Sequence, residues 1–286
     1  MKLRVFNNPI DYLNHVQSFL ELNGAVNNLS LGILHRLVRQ YQNEEWKKDS
    51  FLGIIEAESK EILLSLIQTP PHNIAIAGRG NTSDEVLRFA AEQIRIETTI
   101  PGVLGEKHLV DIFSKEYCRL TDQRRKIHMN QRIYQLNKVK SPKSVRGNMR
   151  KATIEDKHLI TEWIQKFTEV LGQPSTKEES LERSMQFIEE ETVALWEVDG
   201  KVVSMANETR PTANGMTINF VYTPPKFEKN GYASACVAEL SQSILDRGYS
   251  FCSLYTDLSN PTSNSIYMKM GYKPVGDSTV YIFERS

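Results

Sequence analysis

The chain has 286 residues, enough for two average domains, and its 40% hydrophobic and 24% charged content is that of a globular protein. Lys and Arg total 35 and Asp and Glu total 35, so the zero net charge offers nothing to nucleic acid or an anionic membrane surface. No apolar run is long enough to cross a bilayer, and the opening Met1 to Asp11 has no signal-like core, so a cytoplasmic protein without a membrane partner is expected. The three cysteines, Cys118, Cys236 and Cys252, have neither metal nor disulfide spacing; buried thiols in a reducing compartment are expected. The six histidines show no ligand spacing, and no metal is expected.

Periodicity and turn residues predict the following elements in chain order. A strand at Leu3–Phe6 precedes helices at Asp11–Leu22 and Leu29–Gln42. Strands Phe51–Ala57 and Ile62–Ile67 flank the turn Glu58-Ser59-Lys60. Strand Asn73–Ala77 passes through Gly78-Arg79-Gly80 into a helix at Ser83–Ile96; helix Lys107–Leu120 and strand Met129–Leu136 follow. The segment 137–150, basic and containing Ser141-Pro142 and Gly147, reads as a linker.

The same order then repeats. Strand Met149–Ala152 leads into a capping-box start at Thr153 and Asp156, and an amphipathic helix carries Leu159, Ile160, Trp163, Ile164 and Phe167. A helix at Lys177–Glu190 follows, then strands Val193–Val198 and Val202–Glu208 around Asp199-Gly200, a strong hairpin signal. Strand Met216–Tyr222, helix Tyr232–Arg247, strand Ser250–Tyr255, helix Thr262–Met270 and a strand near Thr279–Phe283 complete it. The expected organisation is two similar α/β halves, each a mostly antiparallel mixed sheet flanked by helices: residues 1–140, a linker at 141–148, and 149–286.

The passage from Ile218 to Ser234 carries the most chemistry. An apolar strand breaks at Pro224-Pro225, passes Gly231 and restarts as a helix with the small residues Ala233 and Ser234 in its first turn. First-turn N–H groups lack intrahelical partners and carry the positive end of the helix dipole, so a phosphate-bearing ligand is expected there. A second run, Asn260 to Tyr272, has Asn260 to cap a helix, Pro261 to start it and Gly271 to end it.

Together these two runs resemble the GNAT superfamily of acyl-CoA-dependent N-acyltransferases, over Met149–Ser286, and the whole layout resembles a tandem GNAT arrangement with a degenerate first half. The resemblance implies that Phe220, Val221, Tyr222 and Thr223 line the pantetheine arm of acetyl-CoA. It implies that Lys229, Asn230, Gly231, Tyr232, Ala233 and Ser234 hold the pyrophosphate, and that Asn260, Ser263 and Tyr267 complete the cofactor site. Gly231 and Ala233 match the family's turn, whereas Glu228 stands where Gln or Arg is usual. The N–H of Val221 or Tyr222 would face the thioester oxygen, and Tyr267 would protonate the departing thiolate; a core tyrosine is the alternative reading. Asn260 is either a cofactor contact or a simple cap.

The general base is the open position. Thr217 and Asn219 occupy the strand where some family members carry Glu, and neither is a base. Glu208 is the nearest carboxylate, directly or through a water, with Asp257 as another candidate and an exposed strand-end charge as the alternative for both. The expected reaction is acetyl transfer from acetyl-CoA to a small-molecule or peptide amine. A non-catalytic acyl-CoA sensor or scaffold is the rival; an ATP module is disfavoured because no G-x-x-x-x-G-K-[ST] run exists. Gly78-Arg79-Gly80 reads as a lost phosphate turn. Neither the acceptor nor the oligomeric state has a signal.

Overall fold

Asp199 and Gly200 both take positive φ, 50° and 73°, which twists a two-residue turn to match its flanking strands. Thr153 and Asp156 form their capping box, and Thr176 with Glu179 forms a second one that the sequence reading did not single out. These local devices set the elements of a computed structural model that describes residues 1–140 and 144–285. The linker residues Ser141, Pro142 and Lys143 and the terminal Ser286 lie outside the described residues.

The first half runs β1 (Lys2–Val5), α1 (Pro9–Glu21), α2 (Gly24–Gln42), β2 (Phe51–Glu56), β3 (Ile62–Gln68), β4 (Ile74–Gly78), α3 (Asp84–Glu97), β5 (Gly102–Glu106), α4 (Lys107–Thr121) and β6 (Gln123–Leu136). The second repeats that order: β7 (Asn148–Lys151), α5 (Lys157–Val170), α6 (Lys177–Glu189), β8 (Val193–Val198), β9 (Lys201–Thr209), β10 (Gly215–Tyr222), α7 (Tyr232–Asp246), β11 (Phe251–Asp257), α8 (Pro261–Lys269) and β12 (Lys273–Arg285).

Among the described residues all twelve strands join one sheet in the order β1-β2-β3-β4-β5-β12-β6-β11-β10-β9-β8-β7. Reading inward from each edge, the halves match strand for strand, but the last strand of each is exchanged. β12 pairs with β5, and β6 pairs with β11. β4–β5 and β10–β11 are parallel; every other pair is antiparallel. The two expected sheets are therefore one, welded by β6 against β12 over the registers Lys273↔Gln135 to Arg285↔Gln123.

β5 is an element that periodicity does not predict, and β6 and β12 both begin earlier than their predicted starts. β5 carries Gly102 and Gly105 in five residues, which removes the β-branched signal. The front of β6, Arg124 to His128, is charged and exposed, so it shows no alternation until its ladder partner β12 is known.

Alternation assigns the faces of the second half. Met216, Ile218, Cys252 and Leu254 point into a core with α7 and α8. Thr217 and Ser253 share a hydrogen bond of 2.9 Å on the opposite face, which also carries Tyr255. There Val193, Leu195 and Met205 pack against Ile160, Trp163 and Ile164 of α5. α2 of the first half crosses the seam onto this same face, reaching β4, β12, β6 and β10. All three cysteines are buried and free; burial pushes the Cys236 and Cys252 thiols up to about 12. No helix among the described residues is long and apolar enough to cross a membrane.

Candidate functional site

The parallel pairing of β10 with β11 ends at Ile218↔Leu254, although β11 continues to Asp257 against β6. Beyond that point the two strands part. On its other side β10 slips register against β9 between Asn219 and Tyr222, and Phe220 takes a φ of 47°. A left-handed, bulky residue in a strand is a local distortion that surrounding structure must enforce. Here Phe220 is clamped by Phe167 and Phe187, with ring centroids at 5.0 and 5.3 Å, and Arg183 lies over its face. The consequence falls on the next residue: Val221 has no register partner on β9 and stands where β11 has already left.

Beyond the fork the chain makes a 3-10 turn at Pro225–Phe227 and enters α7 through Lys229 (φ 64°) and Gly231 (φ 83°). Asn230 stiffens the turn by donating to the carbonyls of Phe227 and Glu228 at 3.1 and 3.0 Å. Gly231 caps α7 without any side-chain bond, and the first turn holds no acidic residue. Tyr232, Ala233 and Ser234 are half-buried, so their N–H groups remain reachable. Glu228 is exposed, so its carboxylate stands in solvent, outside the turn.

The corresponding turn of the first half is closed. Thr82 accepts from the Arg79 N–H and donates back to its carbonyl, and Arg79 pairs with Glu61 at 2.8 Å. Asp84 and Glu85 occupy the first turn of α3. Two carboxylates at that end repel an anion, which α7 does not.

Tyr267 of α8 and Val221 pack on the same apolar cluster. The Tyr267 ring meets Tyr272 edge-on at 5.8 Å, and among the described residues its hydroxyl makes no hydrogen bond. Burial pushes its pKa up to about 12. Asn260 caps α8, accepting from the Ser263 N–H at 3.1 Å, so its amide oxygen is committed to the helix. Asn264, one turn later, is a site residue beyond those the resemblance implies. Asn264 donates to the Asp257 and Asn260 carbonyls and accepts from Tyr134 and Thr256, tying the end of β11 to α8 and β6. Its signal in the sequence is the i,i+4 spacing from Asn260 within the run Asn260 to Tyr272.

Thr223 shares a 2.8 Å hydrogen bond with Ser204, and the Tyr222 side chain turns to Trp163 on the α5 face. Glu208 is not placed as a base. It is buried, paired through both oxygens to Arg247 beyond the C-terminal end of α7 and to Lys151 at 3.3 Å. It lies opposite Ile218 and on its face, the α7 side, below the fork. Asp257 is also spent, accepting from the Ser259 N–H and hydroxyl at 2.7 Å. In the linker Arg146 pairs with Asp199, and at the start of the second half Arg150 of β7 pairs with Asp156 and Glu197.

The sequence model of the family described as FR47-like protein matches residues 198–282, the segment that holds the fork, the turn and α8. No significant match occurs among curated proteins. Among solved structures, an acetyltransferase of the GNAT family from Colwellia psychrerythraea is 12% identical, covers both chains completely and has a TM-score of 0.58. A Drosophila protein of 12% identity covers 99% of each chain at a TM-score of 0.68. A GCN5-related N-acetyltransferase from Sphaerobacter thermophilus, 15% identical, covers 98% of this chain and 94% of its own, with a TM-score of 0.62. The fold is that of the GNAT acetyltransferases, over the full length of both halves.

Proposed function

We propose that this GNAT-fold chain is an N-acetyltransferase whose second half moves an acetyl group from acetyl-CoA to a primary amine by direct attack on the thioester. The observation that carries the reading is the bulge at Phe220, which turns Val221 out of the ladder where β10 and β11 part. An amide freed at a fork is suited to donate to an oxygen that gains charge, an interaction worth about 3 kcal/mol in a transition state. Acetyl-CoA supplies the activated thioester.

The chain's own residues divide the remaining work. The uncapped first turn of α7, with Gly231 and the small Ala233 and Ser234, fits a diphosphate. Tyr267 keeps its proton through neutral pH and is the donor for the departing sulfur. The face opposite α7, which α5 covers, would take the acceptor; Asn219 is its first polar residue past the fork on β10, and Asn207 donates to it at 2.9 Å. The amine's proton then leaves through solvent or a water held by these amides, because Glu208 is committed elsewhere.

A second reading, an acyl-CoA-binding protein without turnover, is favoured by one feature. Thr217, Asn219 and Asn207 put amides and a hydroxyl, and no carboxylate, on that face of the strand pair. Titration calorimetry with acetyl-CoA, coenzyme A and ATP, followed by thiol release with an amine panel, separates the two. Micromolar binding of both coenzyme A species and release of thiol support transfer. Binding without release supports the second reading, and no binding sinks both.

A further inference from the structure

Arg210 follows β9 with a φ of 49°, which swings its side chain away from the ladder toward α2. Its stem lies against Gly32, where a Cβ would sit 2.4 Å from the arginine Cγ. The guanidinium stands 5.7 Å from the centre of the Tyr255 ring and donates through Nη1 to Asn28 Oδ1 at 2.9 Å. Among the described residues no carboxylate pairs with it, and burial lowers its pKa, opposed only by Tyr255. Arg210 is half-buried, and drawing a cation even partly out of water is costly unless an anion or acceptors meet it. One neutral amide oxygen answers one of its five donors.

Its position gives that unmet charge a purpose. Thr209 is in register with Thr217, so Arg210 enters the acceptor face just below the Thr217–Ser253 pair. Tyr255, beside the guanidinium, is the first residue of β11 past the end of pairing, as Asn219 is for β10. Tyr255 is held in place from the other side, donating to the Val26 carbonyl at 3.3 Å and accepting from Asn28 at 3.2 Å. Arg210 therefore lies at the closed end of the fork, on the face opposite α7 and its phosphate turn. Val221 is two residues further along β10 than Asn219, roughly 7 Å of strand. A molecule with its amine at the fork would reach Arg210 with its other end.

Resting on the acetyltransferase reading, we infer that Arg210 anchors a carboxylate carried by the acceptor, so that the substrate class is an amino acid or another carboxylate-bearing primary amine. One guanidinium with one edge already engaged by Asn28 matches a monoanion in a fork-to-fork contact. Tyr255 and Asn28 are positioning residues that hold the guanidinium. The first half thereby contributes to the acceptor site through α2.

The test uses the full chain and a thiol-release assay with glycine, β-alanine and 4-aminobutyrate, each beside its amide. Acid and amide differ in amine basicity, so the readout is how their kcat/KM ratio changes between variants. From wild type to Arg210→Gln the acid-to-amide ratio should fall by at least about tenfold, with acetyl-CoA affinity unchanged. Arg210→Lys keeps the charge and should retain part of the preference; it also carries the test if Arg210→Gln does not fold. An unchanged ratio in both folded variants, or a loss confined to thermal stability, overturns the anchor. If acetyl-CoA binds and no amine turns over, transfer itself fails. The anchor is then read by ligand-observed NMR on the coenzyme A complex, where equal binding of acids and amides in wild type and Arg210→Gln overturns it.

Discussion

Glu208 on β9 and Arg247 beyond the C-terminal end of α7 are joined through both carboxylate oxygens, one contact at 3.0 Å and one shorter. The carboxylate is buried while the guanidinium reaches solvent, and Lys151 adds a third charge. This pair fixes the far end of the helix that Gly231 opens.

Replacing Glu208 with Gln should therefore destabilise the protein and spare the chemistry. A partly exposed pair of this kind is worth about 1–3 kcal/mol, less than a fully buried one. Urea unfolding should show that loss, with kcat within about threefold of wild type. A hundredfold fall in kcat at unchanged stability would restore Glu208 as a base.

Tyr267→Phe removes the donor and little else, because among the described residues the hydroxyl has no hydrogen-bond partner. We expect kcat to fall by about a hundredfold, with acetyl-CoA affinity and melting temperature nearly unchanged. Since burial carries this phenol up to about 12, it should impose no alkaline limb on the wild-type rate below about pH 10. Full activity in the phenylalanine variant would assign Tyr267 to the core alone.

Gly231→Val should weaken acetyl-CoA binding about tenfold in calorimetry, because φ is +83° there and a Cβ would already lie 3.2 Å from Val145. Gly80→Ala, in the closed turn of the first half, meets only a Glu106 oxygen at 3.8 Å and should leave binding unaltered. Equal losses in the two variants would place ligand binding in both halves.

Alkaline pH should destabilise the chain in part through its buried thiols, alongside buried phenols such as Tyr267. Cys236 and Cys252 start from an ordinary value of 9.0 and are held at about 12 in the fold. Their raised values mean that the stability they confer is complete below about pH 9 and is lost as pH rises toward 12. Each pH unit inside that window costs up to about 1.4 kcal/mol per thiol. Melting temperatures from pH 8 to 11 should fall steeply in wild type and less steeply in Cys252→Ala. Parallel slopes would show that other groups dominate.

The exchange of last strands predicts that the halves do not separate at the linker. A fragment of residues 149–286 lacks β6 and exposes the edge of β11, so it should aggregate or unfold without cooperativity. A fragment starting at Gln123 restores that edge and should be the more soluble. A cooperative transition in the shorter fragment would refute this.

The sequence determined by itself what depends on neighbours along the chain. The Asp199-Gly200 turn, the Thr153 box, the glycine entrance to α7 and the Asn260 cap are local bargains between side chain and backbone, legible as residues. So was the repeated order of elements. The tertiary structure alone decided what depends on residues far apart in number. It chose which last strand closes which half, because β6 and β12 carry no alternation that names a partner. It set the bulge at Phe220, which needs Phe167 and Phe187 on either side. It also took Glu208 away from the fork by offering Arg247, 39 residues later. Arg210 was one charge among many in the sequence; it became a candidate anchor only when α2 of the first half, 182 residues before it at Asn28, came down beside it.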